Sequence, residues 1–162
     1  MDTCQINKSF FKNKLFKGVF PCDQLPLLTN EKLPFGIIVN THPGYKPGEH
    51  WVAIFVNKNK HAEYFDSFAK PPVNEFIVKF IERHTKSSCY NIVRVQNEFS
   101  EKCGQFAIGF LKAKFSGFTS DQFLSLFNQD NLSYNDELIE KFIKNCRAYK
   151  FVAENEDCQH SS

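Results

Sequence analysis

Apolar residues recur along this chain in two rhythms, and most predicted elements follow from them. Val73, Phe76, Ile77, Phe80, Ile81 and His84 fall at i, i+3, i+4, i+7, i+8 and i+11, the spacing of one helix face. Residues 5–17 carry Ile6, Phe10, Phe11 and Leu15 in a weaker version of that pattern and predict a helix ending near Gly18. Short unbroken apolar runs at 34–40 and 51–56 are rich in β-branched residues and predict buried strands. A polar turn at 57–61 joins the second run to 62–68, which reads as the return strand of a hairpin. Pro71-Pro72 stops that strand, and 89–95 predicts another. Phe106, Ala107, Phe110 and Leu111 then mark a helix entered near Cys103. Ser120 is positioned to cap a short helix carrying Phe123, Leu124 and Phe127. A last helix is expected over 135–147 with Leu138, Phe142 and Ile143 inward. The Pro- and Gly-rich stretches 18–26 and 41–49 read as loops, with Tyr45 in the second.

Helix, strands, helix, strand, helices: this order predicts an α+β fold, a sheet with helices packed against it. A chain of 162 residues, 42% apolar, makes one domain over 1–152, followed by a loose polar tail over 153–162. Nineteen Phe against one Trp and one Met predict a core built from phenylalanine. A net charge of +2 excludes a strong acidic or basic field, and Lys8, Lys12, Lys14 and Lys17 read as a solvated helix face. The first residues do not resemble a signal peptide, and no apolar run is long enough to span a bilayer. The six cysteines include no Cys-x-x-Cys pair, which removes the main support for zinc-ribbon or thioredoxin chemistry and leaves no metal site. Reduced thiols, an intracellular location and no membrane contact are therefore expected.

The chemistry centres on Cys103, at the point where a loop enters a helix. Unpaired N–H groups and the positive end of the helix dipole favour thiolate there. A helix end is worth only about 0.3–1 kcal/mol, less than one pKa unit at about 1.36 kcal/mol. A thiol nucleophile at this position needs a base. His50 stands where a Pro/Gly loop meets a buried strand, and Asp66 lies at the same end of the predicted hairpin. The two can face each other directly or diagonally, so that Asp66 accepts the imidazole N–H and fixes its tautomer. Trp51 is expected to pack over the pair. Gln96, seven residues before Cys103, can donate to the oxygen of a tetrahedral intermediate together with the Cys103 backbone N–H. Gly104 leaves room beside the sulfur, and Glu49, Trp51 and Gly104 are candidate borders of a substrate cleft.

The motifs Gly48-Glu-His-Trp51, Tyr64-Phe-Asp-Ser67, Val95-Gln96 and Cys103-Gly-Gln-Phe106 resemble the adenovirus endopeptidase (adenain) family of cysteine proteases. That family is related in fold to the proteases that process ubiquitin-like modifiers. The likeness spans roughly residues 15–112 and includes the loop Phe16-Lys-Gly-Val-Phe-Pro-Cys-Asp-Gln-Leu-Pro26, similar to that of proteases encoded by viruses and virus-like DNA transposons. It implies a mixed central β-sheet flanked by helices, with His50 as general base, Asp66 as orienting acid, Cys103 as nucleophile and Gln96 as oxyanion donor. The implied activity is thiol endoproteolysis of capsid or virion precursors at small or Gly-containing sites, by a monomer located in cell or virion. Adenain has Glu where this chain has Asp66; the modifier proteases have Asp. No cofactor is implied. Activation by DNA or by a disulfide-linked peptide is open to the family, but no cysteine here matches the attachment point, Cys89 lying nearest at the wrong spacing, and the modest charge gives nucleic acid little to hold.

Two other functions fit the same residues. One is an isopeptidase that removes a ubiquitin-like modifier; the other is a catalytically silent domain that binds peptides in the same cleft. Of the remaining polar residues, His84 reads as a satisfied core histidine, His42 and His61 as solvated loop residues, and the other cysteines as inert.

Overall fold

The computed structural model describes residues 1–45 and 50–146. Five strands form one sheet in sequence order: β1 (Phe16–Pro21), β2 (Phe35–Asn40), β3 (Trp51–Val56), β4 (His61–Phe65) and β5 (Ser87–Tyr90). β1/β2 and β4/β5 pair parallel, β2/β3 and β3/β4 antiparallel, so the sheet is mixed as expected. Helices α1 (Thr3–Ser9), α3 (Cys103–Phe115), α4 (Ser120–Leu124) and α5 (135–146) share a core with one face of the sheet, and α2 (Glu75–His84) covers the other.

β2 and β3 are buried on both faces, which explains their unbroken apolar runs. Ile38, Ala53, Phe55 and Phe65 meet α3, while Ile37, Val39, Ile54 and Tyr64 meet α2. The phenylalanines gather on the α3 side. Phe65 stacks on Phe110 with ring centroids 4.6 Å apart, and Phe123 meets Phe65, Phe110, Phe127 and Phe142 edge-on. α3 is buried on most of its surface because α4 and α5 pack against it opposite the sheet. Gly109 admits α5: a Cβ there would collide with the Ile139 side chain.

Several boundaries differ from the sequence expectation. The first helix stops at Ser9, Lys12 takes a left-handed φ of 62°, and Phe11 points to solvent. Residues 16–21, read as helix end and loop, form edge strand β1. A register shift between Phe16 and Val19 accommodates Gly18 at φ 130°, and Pro21 ends the strand. Gly and Pro signal a loop in isolation, but a sheet edge tolerates both. α2 starts at Glu75, capped by Asn74, so Val73 and Phe76 lie outside the buried stripe and are exposed. The expected strand 89–95 is displaced to Ser87–Tyr90; beyond it Ile92 is exposed and Val95 buried in an irregular segment. Thr119, not Ser120, caps α4, in a reciprocal bond pair with Gln122. In α5 Ile139 and Phe142 are buried, whereas Leu138 and Ile143 are half-covered. The expected tail over 153–162 lies outside the described residues. Among the described residues no helix is long and apolar enough to cross a membrane.

Candidate active site

The antiparallel register of β3 and β4 brings the first two candidate residues together. Ala53 pairs with Phe65. Three residues before Ala53 and just past the end of that ladder, His50 comes within reach of Asp66 and of the turn at Phe68. The His50 ring stacks on Phe68 at 5.2 Å between centroids, and its Nε2 lies 2.8 Å from Asp66 Oδ1. That oxygen also accepts the Phe68 backbone N–H at 2.8 Å, so two donors fix the carboxylate. Asn91 closes the arrangement from beyond β5: its Oδ1 accepts the Asp66 backbone N–H and its Nδ2 donates to the Asp66 carbonyl. The side chain extends the β4–β5 ladder by one rung. Nothing in the residue pattern around Asn91 signals this role.

Cys103 opens α3 and is buried, with Lys102 at the cap position providing no side-chain acceptor. The first N–H groups of the helix therefore face the sulfur rather than a capping oxygen. The thiol hydrogen-bonds with His50. Asp66 occupies Nε2, which leaves Nδ1 for the sulfur. Burial pushes the thiol up, but the bond to His50, the Trp51 and Gly104 backbone N–H groups and the imidazolium charge together bring it below its ordinary value. For His50, burial favours the neutral ring, yet the Asp66 bond, the Cys103 bond and the two negative charges outweigh it and raise the imidazole to about 9. The two shifts run in opposite senses and bias the pair toward a thiolate beside an imidazolium.

Trp51 does not cover His50 and Asp66. Successive strand residues point to opposite faces, so its ring joins the α3-side core and Phe68 takes the place expected for it. Its backbone N–H, which sequence reasoning overlooked, donates to the sulfur. Trp51 also borders a cavity of about 410 Å³ with Val19, Pro21, Asn40 and Met1. Met1 covers Gly104, and a Cβ at position 104 would lie 2.8 Å from the Met1 sulfur. Glu49 lies outside the described residues.

Gln96 is buried, 1% exposed. Its Oε1 accepts from the Ser67 hydroxyl, and its Nε2 donates to the Ser100 carbonyl at 2.8 Å, with the Ser100 hydroxyl at 3.3 Å. The Val95 and Gln96 backbone N–H groups both donate to Ser67 O, which lays this segment beside residues 66–68. The loop that follows is tied to the α5 side by Asn97–Ser133, Ser100–Asp136 and Lys102–Glu140. Asn135, fully buried, donates to Val95 O from the same side. These contacts carry the chain from the sheet edge to the start of α3.

A second thiol–imidazole contact shows what proximity alone does not provide. His61, read as a solvated loop residue, heads β4; its ring meets Ser87 Oγ at 2.8 Å and Cys89 Sγ at 3.3 Å. Burial and the Glu63 charge push the Cys89 thiol up. Among the described cysteines, only Cys103 combines a carboxylate-backed imidazole with backbone N–H groups. His84 is a satisfied core histidine as expected: Nδ1 bonds Phe80 O and Nε2 accepts the Leu28 N–H. The five described cysteines are free thiols, and no cluster of three or more metal-ligating side chains occurs among the described residues.

No protein-family model matches the sequence. The chain is 29% identical over 113 residues to a cysteine protease of African swine fever virus, covering 62% of this chain and 41% of that protein. A protein of Acanthamoeba polyphaga mimivirus that carries a thiol-protease name is 28% identical over 166 residues, 89% of this chain and 52% of that protein. The counterpart from another African swine fever virus isolate, 28% identical over 113 residues, is named a SUMO-1 cysteine protease. The chain spans about two fifths to half the length of these curated relatives. Among solved structures, the African swine fever virus protease superposes with a TM-score of 0.59 at 20% identity, over 88% of this chain and 66% of that one. ChlaDub1 from Chlamydia trachomatis gives 0.50 at 18% identity, over 72% of this chain and 62% of that one. By sequence this chain is a homologue of viral cysteine proteases, and its mixed five-stranded sheet with flanking helices has the adenain-like fold of the African swine fever virus protease and ChlaDub1.

Proposed function

We propose that this chain is a cysteine endopeptidase in which Cys103, His50 and Asp66 act as one unit. The observation that supports it most is the convergence of the three groups: His50 Nε2 lies 2.8 Å from Asp66 Oδ1 while the same ring meets Cys103, so that, against burial, Asp66 first and Cys103 second raise the imidazole to about 9 and His50 in turn draws the thiol down. The Cys103 sulfur attacks the scissile carbonyl carbon, and the carbonyl oxygen takes up the negative charge beside the Cys103 N–H. Collapse of this intermediate breaks the C–N bond. His50 passes its proton to the departing amine, leaving a thioester on Cys103. Neutral His50 then removes a proton from water, hydroxide adds to the thioester, and the acid leaves as the thiolate–imidazolium pair is restored. In this scheme Asp66 holds the ring in orientation and stabilises its charge. Gln96 is assigned the role of second oxyanion donor, a task for which one Nε2 hydrogen must leave the Ser100 hydroxyl, the longer of its two contacts, while the Ser67 and Ser100 carbonyl bonds hold the amide in place.

The substrates proposed are capsid or virion precursor proteins cut at small or Gly-containing sites, in keeping with the viral relatives. A second reading, removal of a ubiquitin-like modifier, is favoured by the SUMO-1 cysteine protease name of one relative. Incubation of wild type and Cys103→Ala with Gly-Gly and Gly-x-Gly peptides, capsid precursors and modifier conjugates separates the two. Cleavage of precursors and peptides by wild type alone supports the endopeptidase, and cleavage of conjugates alone supports the isopeptidase. Iodoacetamide that labels Cys103 at pH 6 no faster than the other cysteines, with no substrate cut, identifies a silent peptide-binding domain.

A further inference from the structure

A pocket of about 500 Å³ opens directly beside His50, bordered by Asp66, Phe68, Lys70, Pro71, Val73 and Asn74. Val73 is 85% exposed, and with Pro71 and Phe68 it forms an apolar wall next to the imidazole. Lys70 and Arg94 both lie over the Phe68 ring, at 6.0 and 5.2 Å from its centroid, while His50 stacks on it. The sole carboxylate lining the pocket among the described residues is Asp66, already committed to His50 and the Phe68 N–H. Among the described residues, an apolar wall with Lys70 at its edge therefore adjoins the group that would protonate a leaving amine.

We infer that this pocket binds the leaving-group side of the substrate, taking a large apolar side chain immediately after the scissile bond and an acidic side chain one residue further on. This inference rests on the endopeptidase reading and deepens it. The departing nitrogen has to come within hydrogen-bond reach of the His50 nitrogen that faces Cys103. The acyl half stays on the sulfur, so the chain beyond that nitrogen runs past His50. One residue advances about 3.3–3.6 Å, which sets the first side chain after the bond against Phe68, Pro71 and Val73 and the second near Lys70. The separate cavity bordered by Trp51 and Met1 is left to the acyl half.

The test uses peptides with a common Gly-containing acyl half, carrying Leu or Ser directly after the bond and Glu or Lys at the next position. Wild type is expected to cut the Leu peptide about tenfold better than the Ser peptide in kcat/KM, the scale of an apolar side chain in a partly open pocket. It is expected to cut Glu over Lys by about threefold, the scale of a solvent-screened charge pair. Val73→Asp should collapse the first ratio, and Lys70→Glu should invert the second; both positions are solvent-facing. Equal rates on all peptides by wild type, or ratios unmoved by both substitutions, would overturn the subsite while leaving the endopeptidase intact. If wild type cuts none of them, or Cys103→Ala cuts them equally well, the endopeptidase reading fails and the subsite falls with it.

Discussion

Replacing Asp66 with Asn isolates the charge of the carboxylate from its shape. In the folded protein Oδ1 accepts both the His50 Nε2–H and the Phe68 N–H at 2.8 Å. An Asn side chain retains these contacts only with its oxygen in that position, because the flipped amide would set Nδ2–H₂ against the Phe68 N–H. The backbone donor thus holds the orientation, and the imidazole keeps its tautomer while losing a full negative partner. A hydrogen bond to a charged group is worth about 1.5–3 kcal/mol and a neutral one about 0.5–1.5, a difference of roughly one pKa unit at about 1.36 kcal/mol. Asp66 is 3% exposed, so solvent does little to screen this difference. From about 9 in the wild type, the imidazole is expected to fall by about one unit. The consequence depends on pH. At pH 7 the ring is almost fully protonated in both proteins and kcat/KM changes little; at pH 8.5 the variant should be slower by about threefold. The assay is kcat/KM on a fluorogenic Gly-containing peptide from pH 5 to 10, with Cys103 alkylation rates as a substrate-free check. An alkaline limb that stays in place in Asp66→Asn would refute the argument that this carboxylate sustains the imidazolium.

Three further outcomes are expected. Gln96→Ala should lower kcat by about 10²–10³ with little change in KM if the amide reaches the oxyanion; it also leaves the Ser67 hydroxyl and Ser100 carbonyl without their partner. Denaturation alongside kinetics separates the two effects, since lost stability with unchanged kcat assigns Gln96 to the framework alone. His84 is lowered by burial, with the Phe80 backbone bond opposing this and Arg83 adding to it, because Nε2 must stay unprotonated to accept the Leu28 N–H. Its stabilisation is complete above the ordinary histidine value of 6.5 and is lost as pH falls below it. Thermal midpoints should drop from pH 7 to 5, and the slope should flatten in His84→Phe; parallel slopes would exclude this histidine as the source. Phe123→Ala removes the ring that touches four others and should cost about 3–5 kcal/mol in urea unfolding. A cost below about 1 kcal/mol would mean the core collapses around the gap.

Much of the arrangement was legible in the residue order, wherever the deciding interactions are local. Unbroken apolar runs marked β2 and β3 because both faces of those strands are covered, and a short polar turn sets the hairpin register that brings His50 within reach of Asp66. The 3.6-residue stripe after Cys103 placed the thiol at a helix start, where N–H groups are unpaired. Elements that depend on distant partners were misread. β1 exists because β2 offers it an edge, and its Gly and Pro signal a loop when that edge is not in view. Side-chain bonds between remote segments were equally hidden: Asn91 to Asp66, Ser67 to Gln96 and Asn135 to Val95 join residues 25, 29 and 40 positions apart. The approach of Cys103 to His50 also belongs to the tertiary structure. Sequence supplies a nucleophile without a base and a base without a nucleophile, and the packing of α3 against the central strands brings them into contact. The shifts that make the pair reactive arise only there, because the Asp66 carboxylate, the His50–Cys103 contact and the Trp51 N–H act at close range and outweigh burial, which opposes both.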